Sequence, residues 1–281
     1  TMGYKTFDGN LVNKDNNLKY IQSDQVVAGF SFSPNIESIL SIEGFYKAYS
    51  DYPFSKMDSI PLSTKGADFD VLGTEEVFPI ADGRAYGFEL LARSQKLAGF
   101  NLILSYTFVR SEFKDLRSEF YSQYIPSSWD NQHLLNFTGT RKFKRNWYLG
   151  FKWRFVGGPP YTPYDVNKSS QRPAWDVQNS PYLDYNQFNS LRFGNFHQLD
   201  LRVDKQYFFD KWSLNLYIDI QNVYNFKAEE QDILTNLTPD GELNIDPATA
   251  NLPYDQQRYN LRRLQSEGAN VLPTIGIIVE F

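Results

Sequence analysis

Residues 147–155, with the sequence WYLGFKWRF, alternate between two faces with a period of two residues. The large apolar side chains of one face are Trp147, Leu149, Phe151, Trp153 and Phe155. The other face carries both charges, Lys152 and Arg154. This pattern is typical of a β-strand with one apolar face, and the length suits a tilted strand that crosses a bilayer, which needs about 9–11 residues.

The same alternation recurs along the chain, which indicates that strands are its main element. Eight further segments show it: 28–32, 40–46, 86–93, 100–108, 135–137, 198–204, 213–220 and 275–281. Charges of both signs lie on the polar faces, as Asp200 and Arg202 illustrate. The sequence therefore predicts an all-β, antiparallel fold with about nine strands.

The connections between these segments alternate in length. Short turns are predicted near 34–35, 95–98, 144–146 and 209–211, and long connections over 50–82, 111–131, 158–195 and 224–271. A transmembrane β-barrel with tight periplasmic turns and large external loops has this rhythm. We expect residues 1–24 to be an external loop segment, residues 25–281 to be the C-terminal part of a barrel, and the C-terminus to be periplasmic. An odd number of strands would not close alone, so further strands are expected outside this sequence.

Composition narrows the class of protein. Aromatic residues make up 17% of the 281 residues, the net charge is −5, and there is no cysteine. The negative charge argues against a nucleic-acid partner. No apolar stretch of about 18 residues predicts a transmembrane helix. No secretory signal opens the sequence, so a fragment or processed product is expected. A soluble β-sandwich would show the same alternation, but the loop rhythm and the aromatics near strand ends favour the membrane barrel.

Several segments resemble the C-terminal region of TonB-dependent outer-membrane receptors. They are GRAYGFEL at 83–90, WDNQHLLN at 129–136, GGPPYTP at 157–163, LDLRVDK at 199–205 and LYIDIQNVYN at 216–225. The resemblance implies a 22-stranded barrel, of which this sequence supplies about the last nine strands. It also implies that Phe281, the terminal aromatic residue, is the signal that the barrel-assembly machinery recognises. The family's plug domain and the segment that binds the inner-membrane energy-coupling complex are absent from this sequence.

The resemblance implies a function in transport. The leading hypothesis is an outer-membrane TonB-dependent transporter for a scarce nutrient, namely a siderophore, cobalamin, glycan or peptide. This sequence would form pore wall and external ligand-contacting loops, with outer-membrane lipid, the remaining strands and the plug as partners. The alternative is a passive or structural outer-membrane barrel or a subunit of an assembly complex. A soluble β-rich binding module is a third hypothesis.

Candidate ligand-binding residues lie in the long connection over 158–195. Its aromatic residues are Tyr161, Tyr164, Trp175, Tyr182 and Tyr185. They could form a binding surface for a flat or sugar-like ligand, or they could pack the loop onto its neighbours. The acidic cluster of Glu229, Glu230 and Asp232 is expected to be a solvated loop face rather than a cation site.

Metal binding and catalysis have little support in the sequence. The only histidines, His133 and His197, could bind a metal if they were close, but hydrogen-bonded histidines at strand starts are the simpler interpretation. No metal-ligand spacing or catalytic motif occurs, so no metal, cofactor or enzyme activity is expected. Asp200 and Asp219 could face each other as a glycosidase pair does, but charge pairing with neighbouring basic residues is the simpler account.

Overall fold

A computed structural model describes residues 3–64, 74–114, 116, 123–265, 268 and 270–281. These residues form two compact units. The strand unit comprises Thr1–Pro159, Gly194–Ala228 and Ala269–Phe281, and the loop unit comprises Pro160–Phe193 and Glu229–Gly268. No helix within the described ranges is long and apolar enough to span a membrane.

The elements follow one another in the chain with strands in the large majority. The strands are β1 (Gln22–Asn35), β2 (Ser38–Ser55), β3 (Val77–Leu97), β4 (Phe100–Lys114), β5 (Tyr124–Pro126), β6 (Gln132–Phe143), β7 (Trp147–Val156), β8 (Pro160–Tyr161), β9 (Leu191–Arg192), β10 (Phe196–Phe208), β11 (Ser213–Gln221), β12 (Ile233–Thr235), β13 (Arg262–Leu264) and β14 (Leu272–Glu280). The helices are α1 (Val12–Asp15), α2 (Val166–Ser170) and α3 (Arg172–Gln178).

Nine long strands form one antiparallel sheet in the strand unit. Their order is β1-β2-β3-β4-β6-β7-β10-β11-β14, and β5 pairs with β4. The predicted all-β fold and the nine long strands are therefore confirmed. β1 and β14 lie at the two ends of this order. Each of them pairs on one side only within the part of the chain that the structure describes, so both keep a row of unpaired backbone groups.

The four predicted short turns are confirmed, because consecutive strands pair directly across each of them. The turn from β3 to β4 places Ala98 and Gly99 at φ 54° and 80°. Positive φ at both central residues matches the right-handed twist of the flanking strands. In the turn from β6 to β7, Arg145 and Asn146 also have positive φ.

The first two long connections are shorter than the sequence predicted, whereas the last two are slightly longer. β2 continues to Ser55 and β3 begins at Val77, so part of the segment 50–82 extends the β-ladder. A small core explains this extension, since Ile60 is 1% exposed and Val77 and Ala81 are fully buried. Apolar and polar residues do not alternate there because residues such as Val77 and Ala81 are buried in this core. Residues 65–73, 115 and 117–122 of the first two long connections lie outside the described residues.

The predicted boundary at residue 25 also shifts. β1 begins at Gln22, and the short helix α1 occupies part of the segment 1–24, of which residues 1 and 2 are not described. The Asn13 side chain is fully buried, donates to the carbonyl oxygen of Glu75 (2.8 Å) and accepts from the amide of Val77 (2.8 Å). This segment therefore packs on the extended β2–β3 hairpin.

The register places apolar residues of successive strands on one face of the sheet. One row across seven strands contains Phe30, Ile42, Leu90, Tyr106, Leu135, Phe155 and His197. On the edge strands this face is uncovered, with Phe30 and Ile277 66% and 68% exposed. A continuous exposed apolar face of this extent requires an apolar partner.

The opposite face is polar, as predicted. Lys152 pairs in register with Asp200, and Arg202 pairs with Asp219. A cavity of about 370 Å³ lies on this face, lined by these four residues together with threonines of β6. The two faces thus differ in the way that a barrel wall between lipid and a wet lumen requires.

Candidate ligand pocket in the loop unit

The loop unit is built from two chain segments that bind each other. The Arg258 guanidinium donates from Nη1 to Asn167 Oδ1 (2.8 Å) and to Ser170 Oγ (3.0 Å). The backbone amide of Tyr259 donates to the carbonyl oxygen of Ser170 (2.7 Å). The connection from β7 to β10 and the connection from β11 to β14 therefore fold together as one body.

A cavity of about 190 Å³ lies within this unit. Its lining residues come from both segments: Tyr161, Pro163, Tyr164, Leu191, Phe193, Glu229, Glu230, Gln231, Asp232 and Arg263. Tyr161 on β8 stacks on Phe193, with 4.1 Å between ring centroids and an interplanar angle of 18°. Pairing of β8 with β9 places both rings at the same wall. This wall offers a flat apolar surface.

The lining carries more negative than positive charge. Glu229, Glu230 and Asp232 supply three carboxylates, and Arg263 supplies the guanidinium. The ion pair between Arg263 Nη1 and Asp232 Oδ2 is long, at 3.9 Å. Burial raises the pKa of the Tyr164 hydroxyl, opposed by the charge of Arg263 and reinforced by that of Asp232. The Tyr164 phenol therefore stays a neutral hydrogen-bonding group beside these charges at neutral pH.

Trp175 and Tyr182 lie elsewhere in the loop unit. Trp175, on α3, is 5% exposed and packs edge-on against Tyr259, with 6.4 Å between ring centroids. The Tyr182 hydroxyl donates to the carbonyl oxygen of Ala174 (2.9 Å), and its ring lies 4.1 Å from Lys168 Nζ. Their contacts therefore pack the loop onto itself, which is the alternative that the sequence left open.

Tyr185 begins a single 3-10 turn, Tyr185–Gln187, and its ring lies 6.0 Å from that of Phe188. Tyr161 and Tyr164 are thus the two predicted residues that share the cavity, and the other three are not among its lining residues. Sequence reasoning missed Phe193 and Arg263. The partner of a stacked ring depends on strand pairing, which no local pattern in the sequence reveals.

Asp176 connects α3 to the second chain segment of the loop unit. Its Oδ1 accepts from the Tyr259 hydroxyl (2.7 Å) and its Oδ2 from the Tyr254 hydroxyl (2.8 Å). Arg172 Nε lies 3.6 Å from Oδ2, one helical turn before Asp176. Burial and the Asp176 carboxylate together raise the pKa of Tyr259. This network fixes α3 against the second segment rather than presenting polar groups to a ligand.

The two histidines bind separate tyrosines. His133 Nδ1 and the Tyr106 hydroxyl lie 2.8 Å apart, and His197 Nδ1 and the Tyr224 hydroxyl also lie 2.8 Å apart. Three or more potential metal ligands do not converge anywhere in the described ranges.

On the polar sheet face, Arg154 lies 3.9 Å from Asp200. Asp200 and Asp219 line one cavity, but Lys152 and Arg202 line it too. Phe281 follows β14 and is fully exposed.

Comparison with solved structures places this fold among outer-membrane receptors. The pyoverdine outer membrane receptor FpvA from Pseudomonas aeruginosa PAO1, bound to pyoverdine, is 13% identical with a TM-score of 0.52, over 100% of this chain and 32% of that one. The ferric-catecholate import receptor Fiu from K12 E. coli is 10% identical with a TM-score of 0.52, over 94% and 28%. The ferric yersiniabactin uptake receptor FyuA from Yersinia pestis is 12% identical with a TM-score of 0.50, over 92% and 29%.

Identities this low show a shared fold alone, and the chain spans about a third of the length of these receptors. No curated protein matches the sequence. A family model described as TonB dependent receptor-like, beta-barrel, matches residues 1–223. Because this match covers well over half of the 281 residues, the chain belongs to the TonB dependent receptor-like β-barrel family.

Proposed function

We propose that this chain supplies part of the barrel wall and the external ligand-contacting loops of an outer-membrane TonB-dependent transporter for a scarce nutrient. The observation that carries the proposal is the folded loop unit with its own lined cavity, in a chain whose strands form a two-faced sheet. Loops that serve only as connections have no need of a network of side-chain hydrogen bonds such as that around Asp176. Binding sites are often carried by loops on a rigid scaffold.

The proposed orientation follows from the two kinds of connection. The short turns would lie on the periplasmic side and the loop unit outside the cell, as in other outer-membrane barrels. β14 follows a long connection, so it would run toward the periplasm and leave the C-terminus there. The exposed apolar face would contact outer-membrane lipid. The polar face would line the lumen, where further strands of the barrel and a plug domain are the proposed partners.

The charge of the cavity bears on the ligand class. The receptors named above are a receptor for pyoverdine, an import receptor for ferric catecholate and an uptake receptor for ferric yersiniabactin. Here, three carboxylates face one guanidinium in the lining. Carboxylates that line a cavity attract a cation and repel an anion. Among siderophores, cobalamins, glycans and peptides, the cavity therefore favours a ligand that combines a flat ring with a positively charged group over an anionic chelate.

Active uptake and passive passage can be separated in cells that make the full-length protein. Binding of a candidate ligand to the cell surface and its accumulation inside would be measured with and without a protonophore, which collapses the inner-membrane proton gradient. A transporter coupled to an inner-membrane complex should keep binding but lose accumulation. Accumulation that persists without the gradient would replace this proposal with a passive outer-membrane barrel.

A further inference from the structure

The short-turn end of β6, β7 and β10 concentrates basic side chains. The residues are Arg141, Lys142, Lys144, Arg145 and Lys205. None of the five has an ion-pair partner among the residues that the structure describes. Their positive charge is therefore not neutralised within the described part of the chain.

Two of these cations lie on the apolar face of the sheet. Arg141 pairs in register with Leu149, and Lys205 pairs with Trp147 and Leu216. Residues that are paired in register point to the same side of a sheet. Arg141 and Lys205 therefore interrupt the end of a face that is otherwise apolar.

Aromatic rings flank both of these cations. The Arg141 guanidinium lies 5.3 Å from the Phe100 ring centroid and 4.9 Å from that of Phe143. Lys205 Nζ lies 5.4 Å from the Trp147 ring centroid and 5.0 Å from that of Tyr207. Lys205 Nζ also donates to the carbonyl oxygen of Arg145. Stacking on a ring leaves the remaining N–H groups of each cation available to an acceptor. We call the two cations and their four aromatic neighbours the basic-aromatic belt.

At the opposite end of the same face, two arginines form ion pairs with carboxylates of the protein. Arg84 Nη2 lies 2.8 Å from Glu112 Oε2, and Arg110 Nη2 lies 2.7 Å from Glu112 Oε1. Arg110 Nε lies 3.6 Å from Asp130 as well. Arg84 and Arg110 at the long-loop end are thus paired with carboxylates of the protein, and Lys96 at the short-turn end is paired with Glu37. The two cations of the basic-aromatic belt have no ion-pair partner among the described residues, which leaves them available to an external anion.

We propose that the basic-aromatic belt binds the phosphate headgroups of anionic phospholipids in the leaflet that meets the short turns. Headgroup phosphates lie at the level where aromatic girdles and basic side chains meet a bilayer. A lipid fits better than free phosphate because Leu149 and Phe151 continue the apolar face next to the belt, where acyl chains can pack. This inference rests on the membrane placement given under the proposed function.

The test uses the purified full-length protein in phosphatidylcholine nanodiscs with increasing amounts of phosphatidylglycerol. Thermal unfolding, followed by intrinsic fluorescence, reports lipid binding. We expect phosphatidylglycerol to raise the unfolding midpoint of the unmodified protein. Replacing both belt cations, Arg141→Gln with Lys205→Gln, should weaken the apparent affinity for phosphatidylglycerol about thirtyfold, since each basic residue near a charged surface contributes about a factor of five.

The matched control removes two charges from the polar face, Lys142→Gln with Lys152→Gln, and should keep the response. The swap Arg141→Lys with Lys205→Arg keeps both charges and should also keep the stabilisation by phosphatidylglycerol, which separates charge loss from misfolding.

Soluble glycerol phosphate should have no effect. Stabilisation by it would show a free-phosphate site and overturn the lipid assignment. Equal responses in the two Gln pairs would overturn the inference. A protein that inserts but ignores phosphatidylglycerol refutes this inference alone, whereas failure to insert refutes the membrane placement too.

Discussion

The ring of Tyr161 lies nearly parallel to that of Phe193, with 4.1 Å between centroids, although 31 residues separate them in the chain. The two rings are held by the pairing of β8 with β9, so the aromatic wall of the cavity exists before any ligand arrives. A preformed surface avoids the entropy cost of ordering a loop when the ligand binds.

Replacing Tyr161 should therefore weaken ligand binding more than it weakens folding. Tyr161→Ala removes one ring of the stacked pair, and an aromatic contact of this kind contributes about 0.5–1.5 kcal/mol beyond its buried area. We expect a loss of affinity of about tenfold, measured by titration of the full-length protein with its transported ligand. Tyr254→Phe, which alters the Asp176 network outside the cavity lining, is the control and should bind normally. A Tyr161→Ala protein of unchanged affinity would place the ligand elsewhere.

The carboxylates of the cavity provide a separate prediction about ligand charge. Asp232→Asn removes the partner of Arg263 and makes the lining less negative. Affinity for a cationic ligand should fall, and affinity for an anionic ferric chelate should rise. The measurement is a competition between one ligand of each charge in the same binding assay. Changes of the same sign for both ligands would show that the substitution disturbs the loop unit rather than its charge.

The fold could be predicted from the sequence where lipid and water enforce opposite faces. Segments such as 147–155 and 213–220 alternate because each residue faces one solvent only, and both became strands with the expected faces. The pattern fails at Pro53 and Pro79, which pair across the β2–β3 ladder beyond the alternating region. Val77 and Ala81 are buried in a small protein core there, so period-two alternation is not required.

The candidate site was less predictable because it depends on contacts between distant segments. Tyr161 and Tyr164 stand out in a Tyr-rich and Pro-rich stretch, but nothing local distinguishes them from Trp175, which is buried against Tyr259. Glu229 and Glu230 are exposed, as the sequence predicted for a solvated loop face. Their additional position in the cavity lining follows from tertiary contacts alone.

The assignment of the two sheet faces predicts opposite effects of one arginine. Ile218 faces Ile275 on the apolar side, whereas Asn215 on the same strand faces the polar side and donates to Asp204 Oδ1 (2.9 Å). Ile218 lies further from the short turn than Leu216, the register partner of Lys205, so Ile218→Arg places a charge deep in lipid at a cost of about 2–4 kcal/mol. It should block assembly, measured as loss of the folded, heat-modifiable band on gels of outer-membrane fractions. Asn215→Arg should assemble at a level close to that of the unmodified protein. Similar assembly of both variants would contradict the face assignment, and Phe151→Arg against Lys152→Gln repeats the test on β7.

Two glycines on adjacent strands should differ in their tolerance of a methyl group. A Cβ at Gly87 would coincide with the space of the Phe108 carbonyl oxygen, whereas a Cβ at Gly44 would meet nothing nearer than 3.9 Å. Gly87→Ala must therefore push β3 from β4, at a cost of about 1–3 kcal/mol for an overpacked site. Gly44→Ala should be neutral or slightly stabilising, because alanine restricts the unfolded chain. Urea unfolding of the reconstituted protein measures both, and equal midpoints would show that the β3–β4 spacing relaxes freely.

High pH should loosen the loop unit through Tyr259. Burial and the Asp176 carboxylate raise the pKa of Tyr259, so the folded state holds this phenolic proton more tightly than the unfolded state does. Its contribution to stability is complete below the ordinary tyrosine pKa of about 10 and is lost as the pH rises through the higher, folded-state pKa. Resistance of the loop unit to limited proteolysis should therefore fall above about pH 10.

Tyr259→Phe loses the hydrogen bond to Asp176, a cost of about 1.5–3 kcal/mol at neutral pH, but it has no phenol to ionise. The proteolysis rates of the unmodified and Tyr259→Phe proteins should converge as the pH rises, whereas Tyr20→Phe, at a side chain 98% exposed, should follow the unmodified protein throughout. A constant ratio between the Tyr259→Phe and unmodified rates from pH 8 to pH 11, about two units below to one unit above the ordinary pKa, would show that Tyr259 is not the titrating group.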